Sequence, residues 1–176
     1  MMEIQIRAEQ YADSRQIEAL LAQASDSMPY ADVLEHSQLD ALRRAGGLDH
    51  CLVAADDLGQ VYGCVGISPL GLSTGELGWV SLGFLAVDPT YQGYGIGSAL
   101  MRAAKQWMKD ELVQGCVIAG TPEYFTRFGW QTCQDLQMPG LAANRLQVLL
   151  VNANEEPQAF VQYHAMAIGA VHHLNV

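Results

Sequence analysis

The sequence predicts a mixed α/β protein, with an antiparallel meander in front and a strand, a glycine-rich turn and a helix in the middle. Three observations carry this. Apolar stretches at 51–55, 61–68 and 77–87 are separated by turn-forming residues, Asp56-Asp57-Leu58-Gly59 and Gly71 to Gly75. The third stretch ends at Asp88-Pro89, glycines follow at 93, 95 and 97, and a helical pattern opens at once. A further buried-type strand, Cys116 to Ala119, comes next, as in chains that alternate strand and helix.

The remaining elements follow in order. Ile4 and Ile6 alternate with Glu3, Gln5 and Arg7, which predicts an opening strand. Asp13 and Gln16 form a capping-box pattern, and Ile17, Leu20, Leu21 and Ala24 keep helical spacing, so a helix is expected over 14–25. A second helix is expected over 32–45, carried by Val33, Leu34, Leu39 and Leu42 and ended by Gly46-Gly47. After the glycine turn, Leu100, Ala103, Ala104, Trp107 and Met108 share one side of a helix placed at 98–112. Thr121 to Phe128 reads as a short helix stopped by Gly129. Leu146 to Val151 is a strand, and a strand-like tail follows, strongest over 159–171. That tail can close its own sheet or serve as an exchanged strand in a homodimer. No repeat or linker interrupts the chain, so residues 1–176 are expected to form one domain.

Composition narrows the function. Apolar residues make up 50% of the chain and charged residues 16%, which excludes a disordered chain. The net charge is −10, from 9 Lys and Arg against 19 Asp and Glu. Nucleic acid and anionic membranes need basic patches and are not expected as partners. An anionic ligand would have to rest on backbone N–H groups and a helix end. The apolar run 77–87 is interrupted by Ser81 and Gly83 and is too short for a membrane helix, which needs about 20 residues. The opening MMEIQIRAEQ lacks a signal-peptide pattern. Cysteines 51, 64, 116 and 133 have no metal or redox spacing and read as buried reduced thiols of a cytoplasmic protein. No metal site is expected.

The informative segment runs from Phe84 to Leu100. Glycine lets the backbone approach a ligand closely and take positive φ, and the helix start adds N–H groups and a favourable dipole. That suits a pyrophosphate. A Walker loop is excluded because no Lys lies in the stretch. A dinucleotide fingerprint fails because Ser98 stands three after Gly95, and the acid at the right distance, Glu111, falls inside the helix. The pattern Gln/Arg-x-x-Gly-x-Gly/Ala fits fully, as Gln92-Gly93-Tyr94-Gly95-Ile96-Gly97.

On these residues the chain resembles the GNAT superfamily of acyl-CoA-dependent N-acetyltransferases. Leu85-Ala-Val-Asp-Pro followed by Tyr91-Gln92 and Gly95, Gly97, Ser98 is similar to that family's fourth strand, pyrophosphate loop and helix. Tyr124-Phe-Thr-Arg-Phe-Gly-Trp130 resembles its later Tyr-x-x-x-Gly-Phe segment, and Ile4–Arg7 with Asp13 and Ile17 its opening. The likeness covers roughly residues 3–150. It implies a fourth and fifth strand that splay apart, with helices on both faces of the sheet. Acetyl-CoA would sit in the gap, its pantetheine arm on the backbone of Leu85, Ala86 and Val87. Its pyrophosphate would rest on the loop 92–98, that is Gln92, Gly93, Tyr94, Gly95, Ile96, Gly97 and Ser98.

The resemblance also implies transfer of the acetyl group to an amine by direct attack in a ternary complex. An alkylamine has a pKa near 10, so about one part in a thousand is neutral at pH 7 and a base is needed. The family's oxyanion donor is a backbone N–H of the fourth strand, here Val87. Its thiolate-protonating Tyr lies four residues before the motif glycine, where this chain has Phe125; the tyrosine is Tyr124, about 100° round a helix. Tyr124 is the candidate acid and Glu76, just before the fourth strand, the candidate base. Asp32, Glu35, His36 and the pair Tyr163-His164 are weaker candidates, and Ser81 and Gly83 offer no strong base. The acceptor, a small-molecule or protein amine, is not encoded legibly. A CoA-binding module without transfer, and a nucleotide-binding α/β protein of another kind, stay open at this point.

Overall fold

Alternating apolar residues commit the first half of the chain to a sheet built outward from β3. In the computed structural model, which describes residues 3–26, 43–119, 122–139 and 145–163, β1 (Gln5–Ala8), β2 (His50–Ala55), β3 (Val61–Leu72) and β4 (Trp79–Val87) form an antiparallel meander. β4 then pairs in parallel with β5 (Gly115–Ala119), which pairs with β8 (Leu146–Leu150). The sheet order is β1-β2-β3-β4-β5-β8-β6, where β6 is Gln131–Thr132. Two further short strands, β7 (Leu136–Gln137) and β9 (Ala159–Tyr163), pair in parallel, and β9 also lies against β3.

The two faces of this mixed sheet carry helices. On one, α1 (Ser14–Asp26) sets Ile17, Leu20 and Leu21 against Cys51, Val53, Cys64, Phe84 and Ala86. On the other, α2 (Ile96–Asp110) buries Ile96, Leu100, Met101, Ala104 and Met108 against Val65, Ile67, Leu82, Leu85 and Val87. Leu82 and Leu85, three residues apart, share that face because a bulge at Gly83 shifts the alternation: Ile67 faces Leu82, and Gly66 faces Phe84.

Several boundaries differ from the sequence reading. β3 continues to Leu72 instead of turning at Gly71, because β9 supplies a ladder partner for Leu70–Leu72 from far along the chain. Gly71 permits that approach, since a Cβ there would lie 3.2 Å from the Gln162 carbonyl oxygen. β4 begins at Trp79, two residues late, since Gly78 takes φ +83° and leaves Leu77 exposed. α2 begins at Ile96, not 98, and ends at Asp110, with Leu112 in the left-handed region at φ +55°. The short helix is one turn, α3 (Pro122–Phe125), continued as a 3-10 turn to Phe128 and stopped by Gly129 at φ +98°. The 159–163 part of the tail closes the chain's own sheet as β9.

The Asp13–Gln16 capping box is not formed either. Asp13 ends a 3-10 turn, Tyr11–Asp13; its Oδ2 accepts from the Gln10 N–H at 2.7 Å, and its two oxygens take Arg7 at 2.6 and 3.0 Å. Gln16 crosses to the β2–β3 turn, donating to Gly59 O and accepting from Val61 N, both at 2.9 Å. The helix expected over 32–45 falls almost wholly outside the described residues, as do Asp32, Glu35, His36, His164 and the tail beyond 163. All four cysteines are free and buried, Cys133 included. Burial pushes each thiol's pKa up, that of Cys64 to about 12.

Candidate functional site

The site begins where two strands part. β4 and β5 share a parallel ladder only over Trp79–Ser81 against Gly115–Val117. Beyond Ser81, β5 continues beside β8 while β4 runs on beside β3 to Val87. The chain thus forks along Leu82–Val87.

At the end of β4 the chain makes a 3-10 turn, Pro89–Tyr91, capped by Asp88, whose Oδ1 accepts from Thr90 N at 2.8 Å. Gln92 then reaches back, its Nε2 donating to the Val87 carbonyl at 3.3 Å. This ties the turn to the strand end, so Gln92 holds the loop's shape. Gly93 and Gly95 both lie in the left-handed region, at φ +80° and +85°, and a Cβ on either would meet no atom within 4 Å. Gly95 is the N-cap of α2, and no side chain caps the helix. The first intrahelical bond runs from Ala99 N to Gly95 O. The N–H groups of Ile96, Gly97 and Ser98 therefore have no intrahelical acceptor, at the end where the helix dipole favours an anion. The backbone is thus open at 93 and 95, and the amides at 96–98 are uncapped.

These amides line a cleft of about 210 Å³ with Val87, Tyr124 and Arg127. Tyr124 and Phe125 divide the two candidate positions between them. Phe125 is fully buried and packs edge-on to Trp130, with 6.2 Å between ring centres. Tyr124 faces the cleft, and its hydroxyl is out of solvent without a hydrogen-bond partner. Arg127 lies over the Tyr124 ring, 4.5 Å from its centre. Desolvation raises the Tyr124 pKa and Arg127 opposes the rise, so the phenol is held in its protonated form at neutral pH.

Glu76 is not brought to this cleft. It is exposed before the start of β4, and the nine residues of the strand put it about 25 Å from Val87. It lines a separate groove with Trp79, Trp107 and Glu111. Leu85, Ala86 and Val87 are buried along the fork, Leu85 and Val87 towards α2 and Ala86 towards α1.

Two features have no counterpart in the sequence reading. Ser68 and Ser81 face each other across β3 and β4 at the last rung before the fork, both fully buried, and neither hydroxyl has a partner. Bulged Gly83 leaves the room beside them, since a Cβ there would lie 3.1 Å from Ser68 Oγ. The second feature is basic. Arg102, Lys105, Lys109 and Arg127 line one cleft that adjoins the first. Basic side chains, taken from sequence to be too few to hold an anion, are gathered beside the glycine loop.

Among the described residues, no helix is long and apolar enough to cross a membrane, and no group of three His, Cys, Asp or Glu side chains could hold a metal ion.

Comparison with known proteins agrees with this geometry. The sequence matches the model of the acetyltransferase (GNAT) family over residues 14–130. The chain belongs to that family. An Escherichia coli protein described as the uncharacterized N-acetyltransferase YhbS is 32% identical over 164 residues, spanning 90% of this chain and 95% of its own. The crystal structure of YhbS with CoA superimposes with a TM-score of 0.82 at 30% identity, covering 94% of this chain and 92% of that one. A GNAT acetyltransferase from Brucella melitensis, solved with acetyl-CoA, gives 0.80 at 33% identity, covering 94% and 99%.

Proposed function

We propose that this chain, as one unit over 1–176, moves the acetyl group of acetyl-CoA to an amine acceptor by direct attack within a ternary complex. The observation that carries this is the fork between β4 and β5, opening beside three uncapped amides and two glycines with empty space where a side chain would be. These features fit the donor. A pyrophosphate suits the N–H groups of the 93–98 turn (Gly93, Tyr94, Gly95, Ile96, Gly97 and Ser98). An extended pantetheine arm suits the backbone of Leu85, Ala86 and Val87 along the fork. The donor supplies a thioester carbonyl and a thiol leaving group.

The chain's own groups then have defined tasks. The Val87 backbone N–H meets the oxygen on which charge develops. The amine nitrogen bonds to the acyl carbon, the carbon–sulfur bond breaks, and the ammonium proton passes to a base or to water. Tyr124, protonated by its desolvation, gives its phenolic proton to the departing thiolate and regains one from solvent. A thiol leaves readily by itself, so Tyr124 accelerates the step without being indispensable. Glu76 takes no part, from its distance. The reduced buried thiols suit a cytoplasmic enzyme. β9 pairs with β3 and β7 within the chain, an arrangement that needs no exchanged strand.

The test has two stages. Melting temperature is measured with acetyl-CoA, NAD and ATP, and a rise with acetyl-CoA alone is expected. Release of the CoA thiol is then followed with a disulfide dye across a panel of primary amines. Binding without turnover on any amine would mark a CoA-binding module, and no binding would remove the donor reading.

A further inference from the structure

The glycine loop has little packing of its own. Residues 92–95 are exposed, and a Cβ on Gly93 or Gly95 would meet nothing within 4 Å. Its shape is therefore imposed from its two ends. At the far end α2 does this, with Ile96 and Gly97 buried. At the near end stands Tyr91, which closes the 3-10 turn and lines the cleft beside the 96–98 amides. Its ring is half-buried and meets Tyr62 edge-on, with 4.7 Å between ring centres.

Tyr62 is itself held at two points. It is the second residue of β3, and its carbonyl accepts from the Asp88 N–H at 2.9 Å, just where the turn begins. Its hydroxyl donates to Asp56 Oδ2 at 2.9 Å. The other oxygen of that carboxylate accepts from the Leu58 and Gln60 amides, so Asp56 is fixed by its own turn. Gln16 ties the same turn to α1 through Gly59 and Val61. Burial and the carboxylate push the Tyr62 pKa up to about 12, so the hydroxyl remains a donor at neutral pH. The charge-assisted bond and the edge-on ring pair are both directional, so they fix the orientation of the rings as well as their place.

We propose that Tyr62 is a positioning residue for the donor: anchored on Asp56, it holds Tyr91, and Tyr91 holds the entry to the glycine loop in the shape that receives a pyrophosphate. The inference rests on acetyl-CoA as donor. Neither Tyr62 nor Asp56 is among the residues lining the cleft, so Tyr62 acts through Tyr91 and not by contact. If loss of the Tyr62 ring leaves the loop in its binding shape about a tenth of the time, the apparent affinity falls about tenfold with no ligand contact removed.

Titration calorimetry of acetyl-CoA against the full chain tests this in Tyr62→Leu, Tyr91→Leu and the double variant. Tyr62→Leu is expected to raise Kd about tenfold. In the Tyr91→Leu background the same substitution should change Kd by less than about twofold, because the group it acts through is gone. Tyr62→Phe keeps the ring pair and loses only Asp56, and should raise Kd about two- to threefold; it runs the same cycle should Tyr62→Leu fail to fold. Hydrogen exchange gives a second readout. The Thr90 and Tyr91 amides, both bonded to Asp88, should exchange several-fold faster in Tyr62→Leu with α1 and β5 unchanged, whereas a global loss of stability would speed all of them. A Kd for Tyr62→Leu within about twofold of the parent, or an equal loss in both backgrounds, overturns the positioning role and leaves the donor reading standing. If the unaltered protein does not bind acetyl-CoA, the donor reading falls and takes this inference with it.

Discussion

Gly95→Ala separates the backbone demands of the loop from its demands as a binding surface. Gly95 sits at φ +85° with nothing within 4 Å of a Cβ placed on it. In the free protein the substitution therefore meets no clash, and its cost is the left-handed conformation alone, about 1–2 kcal/mol. For a chain of this size that lowers the melting temperature by roughly 2–8 °C. Gly59 provides a matched control in the β2–β3 turn. It has φ +81° and the same open surroundings, and it is not among the residues lining the glycine-loop cleft. Gly59→Ala should cost the same amount.

The two variants should differ only towards acetyl-CoA. A ligand at 100 times its dissociation constant stabilises by about 2.7 kcal/mol, a rise of roughly 5–10 °C here. Gly59→Ala should keep that rise. Gly95→Ala either pulls the loop out of shape or puts a methyl group where the pyrophosphate would approach. A hundredfold weaker affinity leaves about 0.4 kcal/mol at the same ligand concentration, a rise of about 1 °C. Differential scanning fluorimetry of the three proteins with and without acetyl-CoA decides the matter. An undiminished rise in Gly95→Ala refutes the placement of the donor on this loop. Loss of the rise in Gly59→Ala refutes the idea that the effect is local.

Asp13→Asn should destabilise the fold by about 1–3 kcal/mol, because it weakens what holds Arg7 and the Gln10 N–H at a nearly buried carboxylate. The Arg7 hydrogen bonds hold the Asp13 pKa below the usual carboxylate range. Its contribution is thus complete above about pH 4, the unfolded value, and lost as pH falls through the folded one; urea midpoints from pH 3 to 7 should fall more steeply on acidification in the parent than in the variant. Ser68→Ala and Ser81→Ala should each hold or raise the melting temperature, by up to about 4 °C, since each removes a buried hydroxyl with no partner; a fall of several degrees in either would show that the hydroxyl is bonded in solution. The four buried thiols should be silent to a disulfide dye at pH 8 and react only on unfolding, and fast reaction of any one of them would contradict its burial.

Much of this was legible in the sequence because it is local. Gly93, Gly95 and the helix that starts behind them are contiguous, and the requirement for positive φ is written in the residue type itself. The β2–β3 turn was legible for the same reason, with Asp56 accepting from the Leu58 and Gln60 amides. What was missed depends on partners distant in sequence. Nothing in Leu70-Gly71-Leu72 says that Val161–Tyr163 will pair with it. Asp13 and Gln16 carry the letters of a capping box, yet Arg7 and the β2–β3 turn compete for them and win. The bulge at Gly83, which decides the face of every later β4 residue, likewise shows only against its partner strand, where Phe84 lies over Gly66 and a Cβ on Gly66 would be 2.4 Å from the ring.

Net charge and local charge answer different questions. A total of −10 describes the field at a distance, where it repels anions, while a ligand within a few ångströms responds to the groups it touches. Arg102, Lys105 and Lys109 were visible beforehand as one face of a helix, and that spacing was the available signal. Arg127 was not, because it joins them only once the turn after α3 folds back over α2, where Lys105 holds the Phe128 carbonyl. The acidic remainder of the surface then has a consequence of its own. A net charge of −10 repels an anionic donor at a distance, so raising ionic strength should speed association while it weakens the bound state. Stopped-flow association and dissociation rates for CoA at 50 and 500 mM KCl measure both terms; an association rate that falls with salt would mean that the basic cleft, and not the net charge, governs the field the donor meets.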